Sequence, residues 1–346
     1  MNLRLSPLLI APLAVLLAGA ATPAGPIPAA APAPAPAGKT APPAKPAYTE
    51  ASGEWTDPAR DGRKIPWRAF LPADTGKPVP VVIISHGLGG TRDAMLYLGE
   101  HLASHGIATV HIQHSGSDDG VWKGKGPAQI LPAMKEAANA KNASDRTADV
   151  SFTLDRLTAE SAKDAKSPFA GRLDLTKAGI AGHSFGALTA LTVAGVRVPL
   201  RPNTPTKEPR IKAAILFSPP APHLERQSSY DDVTIPVFTF TGTKDVSQID
   251  VGVDPAERQK HFAHFEKAPA WLVVFDGGDH MMYSGNKPRI PTPVSANYPV
   301  WQACVSDLAL DFFKAGLEND AEAKKHLTRE AVTARVGKLG TVSVKP

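Results

Sequence analysis

A serine lies between two glycines in the segment GHSFG, residues 182–186. The segment fits the pattern G-x-S-x-G, which places a serine on a sharp turn between a strand and a helix. The apolar run KAGIAG leads into it and the helix-like run FGALTALTVAG leads out, so the flanking sequence matches that context. The pattern predicts Ser184 as a nucleophile. A plain tight turn is the alternative, because five residues with two glycines also recur by chance.

A serine hydroxyl becomes a nucleophile at neutral pH only with a base, normally a histidine that a carboxylate holds in the right tautomer. In G-x-S-x-G enzymes the acid and then the histidine follow the serine, each after a strand. Asp245 ends the strand-like segment VFTFTGTKD, and His280 ends the next one, VVFDGGDH. We therefore predict Asp245 as the acid and His280 as the base, with Asp231 and Asp250 as alternative acids.

The carbonyl oxygen that becomes negative during acyl transfer needs two main-chain N–H donors. One is expected from Phe185, the residue after the nucleophile. The other is expected from the loop that follows the first buried strand, SHGLGG at 85–90, where Leu88 is our choice. The same loop is also a turn that ends a strand, and the two roles are compatible.

Strand-like and helix-like segments alternate along the chain after about residue 60. Short β-branched runs such as VPVVIIS and IATVHIQ are separated by amphipathic segments such as SDRTADVSFTLDRLTAE. This alternation predicts an α/β fold, with a mostly parallel central sheet and helices on both faces. KIPWRAFLP is expected to be the second arm of an early hairpin. We also expect Thr91 to cap the first helix and a final helix to begin at about Tyr298.

The first 47 residues differ in composition from the rest. Residues 1–21 combine one arginine, an apolar run and small residues, which is the layout of a secretory signal peptide. An uncleaved membrane anchor is the alternative, although the apolar run is shorter than the roughly 20 residues that a bilayer needs. Residues 22–47 are nearly all alanine and proline, which predicts an extended linker. The catalytic domain is then 48–346, in the periplasm or outside the cell, without a stable membrane anchor.

Charge and histidine spacing argue against nucleic acid and metal ions. The 38 basic and 33 acidic residues are interspersed and give a formal net charge of +5, so solvated surface charge is expected and nucleic-acid binding is not. The pairs His111 with His114 and His261 with His264 lack carboxylates arranged as ligands, so we predict structural or surface roles for them. No metal or organic cofactor is expected. The single cysteine, Cys304, is expected in the core.

Six segments together resemble a known superfamily. SHGLGGTRD, LASHGIATVHIQHSGSD, DVSFTLDRL, GHSFGALTAL, TGTKD and GGDHMMYSG are similar to bacterial relatives of platelet-activating factor acetylhydrolase and dienelactone hydrolase, which are α/β-hydrolases. The resemblance covers roughly residues 50–315 and implies the α/β-hydrolase fold. It also implies carboxylic-ester hydrolysis by Ser184, His280 and Asp245, and it supports Leu88 and Phe185 at the oxyanion hole.

This chain departs from the patterns of both families at two positions, so the resemblance does not identify the substrate. Plasma acetylhydrolases place their acid one strand earlier, where this chain has LFSPPAP, and dienelactone hydrolases use a cysteine where this chain has Ser184. A secreted serine esterase acting on a small-molecule or lipid-like ester is the preferred function. A serine peptidase, an acyltransferase or a catalytically idle binding protein are the alternatives.

The sequence gives only a coarse indication of the substrate pocket. Leu88, Phe185, Trp122 and Met281 lie near the predicted site in sequence, which favours an apolar acyl or alkyl group. The polar stretch 115–144 is either a rim or small lid over the site or a surface loop.

Overall fold

The structure is a computed structural model that describes residues 48–73, 76–162, 166–198, 206–222, 226–247, 249, 252–285 and 295–346. The predicted signal peptide 1–21, the predicted linker 22–47 and the alternative acid Asp250 lie outside the described residues. All described residues fall within one compact unit, Lys45–Pro346.

Strands and helices alternate through most of this unit and are numbered here in chain order. The strands are β1 (Tyr48–Asp57), β2 (Arg63–Pro72), β3 (Val79–Ser85), β4 (Ala108–Ile112), β5 (Leu173–His183), β6 (Ile211–Phe217), β7 (Val237–Lys244), β8 (Ala270–Asp279) and β9 (Gly340–Lys345). The helices are α1 (Leu96–Ser104), α2 (Pro127–Ala137), α3 (Ala140–Glu160), α4 (Phe185–Ala194), α5 (Lys260–His264), α6 (Tyr298–Glu318), α7 (Ala321–His326) and α8 (Arg329–Val336).

A single sheet contains every strand named above, in the order β1-β2-β4-β3-β5-β6-β7-β8-β9. The run from β4 through β3 and β5 to β8 is parallel, whereas β1, β2 and β9 pair antiparallel at the two edges. The predicted early hairpin is confirmed as β1 and β2. Because the carboxyl ends of β5, β7 and β8 lie at the same edge of the sheet, side chains that follow these strands can meet there.

Helices cover both faces of the sheet, as predicted. On one face, α3 and α4 pack Leu154 and Ala190 against sheet residues such as Ile180. On the other face, α1 and α6 pack Leu102 and Phe312 in the same way. The central strands are buried on both faces, which explains their continuous β-branched and apolar sequences. In the part of the chain that the structure describes, no helix combines the length and apolar character needed to cross a bilayer.

Three predictions about individual elements need correction. Thr91 does not cap α1, because the helix begins only at Leu96, after a turn in which the N–H of Met95 donates to the carbonyl of Ser284, 2.8 Å away. The predicted helix from about Tyr298 is present as α6, but the prediction that it is the final helix is wrong, since α7, α8 and β9 follow it. The stretch 115–144 is not a plain loop, since it contains α2 and the start of α3.

Candidate active site

A sharp turn joins β5 to α4 at Ser184. The serine has φ 55° and ψ −116°, a backbone conformation that non-glycine residues adopt only where the surrounding structure enforces it. Its N–H donates to the carbonyl of Phe217 on β6 at 2.9 Å, and its own carbonyl accepts the N–H of Ala187 at 2.9 Å. The local backbone is therefore the strand, turn and helix that G-x-S-x-G predicts.

The two glycines of the motif allow main-chain segments to touch. A Cβ on Gly186 would overlap the carbonyl oxygen of Ser85 on β3, and a Cβ on Gly182 would overlap the carbonyl of Gly186. These neighbours are backbone atoms, which cannot rotate away as a flexible side chain could. The absence of a side chain at both positions therefore allows Ser184 to lie close to β3.

We expect Gly186→Ala to lower the free energy of unfolding by more than about 3 kcal/mol, because α4 or β3 has to shift to admit the methyl group. Thermal unfolding followed by circular dichroism measures this loss. Gly126→Ala is the matched control, since Gly126 has φ −69° and a Cβ there would lie 4.0 Å from its nearest neighbour. Equal melting temperatures for Gly186→Ala and the parent chain would contradict the close approach.

The three residues predicted as nucleophile, base and acid meet at the carboxyl edge of the sheet. Nε2 of His280 lies 2.9 Å from Oγ of Ser184, and Nδ1 of His280 lies 2.7 Å from Oδ1 of Asp245. Because Nδ1 faces a carboxylate, it carries the ring proton of the neutral imidazole. Nε2 is then free to accept a proton from the serine hydroxyl.

Asp245 is completely buried and has partners on both carboxylate oxygens. Thr241 donates to Oδ2 at 2.7 Å, and Nε of Arg258 lies 3.2 Å from Oδ1. Burial alone would raise the pKa of Asp245, but His280 and Arg258 lower it below its usual range. The carboxylate is therefore charged at neutral pH. Asp231, the alternative acid, instead pairs with Lys267 at 2.9 Å.

The loop after β3 lies against Ser184. A Cβ on Gly87 would stand 3.4 Å from Cβ of Ser184. The carbonyl of Gly87 is held by Nδ1 of His86 at 2.6 Å. Since a trans peptide points its C=O and N–H in opposite directions, the N–H of Leu88 projects away from His86. Phe185, the first residue of α4, has an N–H that needs no partner within its own helix.

Two further contacts hold the loop that carries His280. Nε2 of His183 donates to the carbonyl of His280 at 2.8 Å, and the hydroxyl of Tyr298 lies 2.6 Å from the carboxylate of Asp279. Burial lowers the pKa of His183 to about 3, so its ring is neutral and donates from this one nitrogen. Sequence reasoning missed His183 and Arg258, although His183 lies inside the G-x-S-x-G motif.

The histidines that were weighed as metal ligands make structural contacts instead. His111 lies 2.9 Å from the carbonyl of Ala94, and His261 bonds the hydroxyl of Tyr230 at 2.6 Å. His264 meets the side chain of Gln227 at 2.9 Å. Within the described ranges, no group of three or more His, Cys, Asp or Glu side chains is arranged to hold a metal ion.

One charged cluster is buried, so the prediction of solvated surface charge is wrong there. Arg146 and Asp149 of α3 have no exposed surface. Asp149 accepts two hydrogen bonds from Arg63, at 2.7 and 2.8 Å, and lies 2.9 Å from Nδ1 of His114. Burial alone would raise the pKa of Asp149, but the bonds from Arg63 and His114 lower it. The cause is helical geometry, because Arg146 and Asp149 share a face with the buried Thr153 and Leu157 at spacings of three and four residues.

Two family models match parts of this chain. The model described as serine hydrolase (FSH1) matches residues 171–282, which contain Ser184, Asp245 and His280. The chain has the α/β-hydrolase fold. The model described as platelet-activating factor acetylhydrolase, isoform II, matches residues 61–121 of this α/β-hydrolase, which contain the loop after β3.

A curated relative agrees with these matches. The α/β-hydrolase is 25% identical over 166 residues to a platelet-activating factor acetylhydrolase of Cavia porcellus, an alignment that covers 37% of this chain and 34% of the relative. It thus spans about a third of the length of the relative it matches. The resemblance to acetylhydrolase-like α/β-hydrolases is confirmed, and the matches support ester hydrolysis by a serine hydrolase.

Proposed function

We propose that this α/β-hydrolase is a secreted serine esterase that cleaves carboxylic esters through an acyl-enzyme. Ser184 is the nucleophile, His280 the general base and Asp245 the acid, while the N–H groups of Leu88 and Phe185 form the oxyanion hole. The observation that carries the proposal is the unbroken chain of hydrogen bonds from Oγ of Ser184 through His280 to Asp245. These are the contacts that activation of a serine hydroxyl requires.

In the first half of the reaction, Oγ of Ser184 attacks the ester carbonyl carbon while Nε2 of His280 takes the hydroxyl proton. The electron pair of the carbonyl moves to its oxygen, which the N–H groups of Leu88 and Phe185 stabilise. Collapse of this intermediate breaks the bond to the alcohol oxygen, and His280 returns the proton to the departing alcohol. Asp245 keeps the imidazolium oriented and balances its charge.

In the second half, a water molecule gives its proton to His280 and attacks the acyl carbon of the acyl-serine. The same two N–H groups receive the negative oxygen. Collapse now breaks the bond to Oγ of Ser184, which regains a proton from His280 as the carboxylic acid leaves.

The N-terminal segments belong to the same proposal. Residues 1–21 act as a signal peptide, residues 22–47 as a linker and residues 48–346 as the catalytic domain. Export to the periplasm or the medium follows from this arrangement.

Apolar side chains beside the loop after β3, residues 85–90, which we call the oxyanion loop, support an apolar acyl group. Nε1 of Trp122 donates to the carbonyl of Gly89 at 2.9 Å, and Sδ of Met134 on α2 would lie 2.8 Å from a Cβ on Gly89. The stretch 115–144 thus packs against the proposed oxyanion loop, which favours a rim over a separate surface loop. We propose that Leu88, Trp122 and Met134 contact the acyl chain.

We expect the full chain to hydrolyse p-nitrophenyl esters, with kcat/KM rising about fourfold for each CH₂ that the apolar rim buries, which corresponds to ~0.8 kcal/mol. Initial rates from acetate upward measure this series. A fluorophosphonate probe, followed by peptide mass spectrometry, should label Ser184. Ester rates at background level together with cleavage of peptide anilides would replace the esterase with a peptidase. Transfer of the acyl group to added alcohols in preference to water would instead indicate an acyltransferase.

A further inference from the structure

One arginine behind the oxyanion loop fastens it at two points. Arg146 of α3 is completely buried, and Nη1 donates to the carbonyl of His86 at 2.6 Å. Nε donates to Oγ of Ser117 at 2.8 Å, and Nη2 donates to the carbonyl of Ser117 at 3.2 Å. That carbonyl also accepts the N–H of Gly89 at 2.8 Å. The guanidinium therefore bonds the loop directly at the carbonyl of His86. It also holds the loop indirectly, because the carbonyl of Ser117 that it bonds accepts the N–H of Gly89.

The same guanidinium also contacts the start of α4. Its Cζ lies 4.4 Å from the ring centroid of Phe185, a distance at which a cation interacts favourably with the face of an aromatic ring. Phe185 directly follows the nucleophile. Arg146 thus touches both chain segments from which the oxyanion donors come.

The charge of Arg146 is costly to bury. Its nearest acidic neighbours, Asp149 and Asp118, act on it only through space. Burial lowers the pKa of Arg146 to about 9, so the guanidinium is still charged at neutral pH. Removing one member of a buried charged network leaves its partners unpaired and is destabilising. The bonds of Arg146 to His86 and Ser117 therefore have to offset the cost of burying its charge.

A second set of bonds fixes the peptide that precedes Leu88. The N–H of His114 donates to Nε2 of His86 at 3.0 Å, so the ring proton of His86 is on Nδ1 and donates to the carbonyl of Gly87. His114 is itself anchored to Asp149 at 2.9 Å. The loop is thus held at the carbonyls of His86 and Gly87, which fixes the peptide plane that carries the N–H of Leu88.

This network includes a second Ser-His-Asp set that cannot act as a nucleophile. Oγ of Ser85 lies 2.9 Å from Nε2 of His114, whose Nδ1 meets Asp149, so the bonding pattern repeats that of the active site. All three side chains have no exposed surface. Since no substrate can reach Ser85, the set serves as support for the loop.

We propose that Arg146 is a positioning residue for the oxyanion hole. It holds the loop after β3 and the first turn of α4 in one fixed arrangement, and its buried positive charge stabilises the negative oxygen that forms between them. This inference rests on the proposed esterase function. It adds a residue outside the triad that acts on the transition state.

We expect Arg146→Met to lower kcat for p-nitrophenyl butyrate by about 100-fold, because a donor misplaced by about 1 Å costs this much. KM should change by less than about threefold, since the oxyanion contact forms only in the transition state. Arg146→Lys keeps the charge but cannot bond both His86 and Ser117, so we expect a smaller loss of about 10-fold. Ser117→Ala, which removes one of these bonds, should also lower kcat without raising KM.

Arg210→Met is the matched control for loss of a structural arginine. Arg210 also bonds α3, through the carbonyl of Ser151 at 3.2 Å, but it directly precedes β6 at the edge of the sheet opposite the site. The fluorophosphonate-labelled fraction counts intact sites in each variant, and kcat is expressed per intact site. We expect Arg210→Met to keep the kcat of the parent chain. A boronic acid that forms a tetrahedral adduct with Ser184 should lose affinity for Arg146→Met by the same factor as kcat/KM.

A kcat per intact site within about threefold of the parent in Arg146→Met would overturn the positioning role. If Arg146→Met does not fold, the kcat values of Arg146→Lys and Ser117→Ala test the proposal instead. An unchanged kcat in both variants would overturn it. A parent chain without ester hydrolysis would overturn the proposed function instead, so the two failures are distinct.

Discussion

Replacing Ser184 with alanine is expected to lower kcat for p-nitrophenyl esters by about 10⁵-fold or more. The substitution removes Oγ, the atom that lies 2.9 Å from Nε2 of His280 and that forms the covalent bond in the proposed mechanism. Water would then have to attack the ester directly, helped only by the oxyanion hole. Stopped-flow and long-time spectrophotometric assays of the purified full-length protein cover this range of rates.

Ser306→Ala is the matched control for this change. Ser306 is a buried serine on α6 whose hydroxyl donates to the carbonyl of Gln302 at 2.8 Å and has no part in the proposed mechanism. Its variant should keep the parent rate, and Ser184→Ala should show the far-ultraviolet circular dichroism of the parent. Retention of more than about a tenth of the parent kcat by folded Ser184→Ala would rule out Ser184 as the nucleophile.

Replacing Asp245 with asparagine is expected to lower kcat by about 10⁴-fold, the loss that this substitution causes in a Ser-His-Asp triad. Asparagine fills the same space but carries no charge. It no longer stabilises the imidazolium of His280, and its NH₂ group favours the ring tautomer with the proton on Nε2. That tautomer cannot accept the proton of Ser184.

Asp231→Asn tests the alternative acid in parallel. The side chain of Asp231 is 40% exposed and pairs with Lys267, so its loss should leave kcat unchanged. The melting temperature of each variant separates a catalytic loss from an unfolded protein. If Asp231→Asn lost activity while Asp245→Asn kept it, the assignment of the acid would be wrong.

The meeting of the three proposed triad residues could be predicted from the sequence because of a simple property of parallel sheets. Ser184, Asp245 and His280 each follow an apolar run that forms a central strand, and the carboxyl ends of parallel strands share one edge. The positions of the strand ends were therefore enough to predict that these residues, which are distant in sequence, lie close together in the fold. The motif also predicted a sharp turn at Ser184, where the structure shows a positive φ of 55°.

The supporting arginines could not be predicted in the same way. Arg146 and Arg258 lie in polar segments, where a charged residue normally faces water. Their burial depends on which loops pack against them, and that is a property of the tertiary structure. For Arg146 there was one local signal: Val150 and Leu157 recur at helical spacing after it, which places the arginine on the apolar face of α3.

The C-terminal strand β9 was missed for a different reason. Its sequence, GTVSVK, is short and partly polar, and its pairing with β8 joins segments that are far apart in sequence. An edge strand of this kind forms only once the strand beside it exists. The cap predicted at Thr91 failed likewise, because a distant contact from Ser284 fixes the turn before α1.

The central position of the nucleophile has a consequence for assays of heat resistance. β5 lies in the middle of the sheet, and the main-chain N–H of Ser184 is bonded to β6 while Gly186 touches β3. We expect this amide to be among the slowest to exchange its hydrogen with solvent, because core strands open with free energies close to that of global unfolding. We therefore expect the backbone around Ser184 to lose its native geometry at the same temperature as the domain as a whole. Activity measured at rising temperature should accordingly report the folded fraction of the entire hydrolase domain, so inactivation and global unfolding are one event.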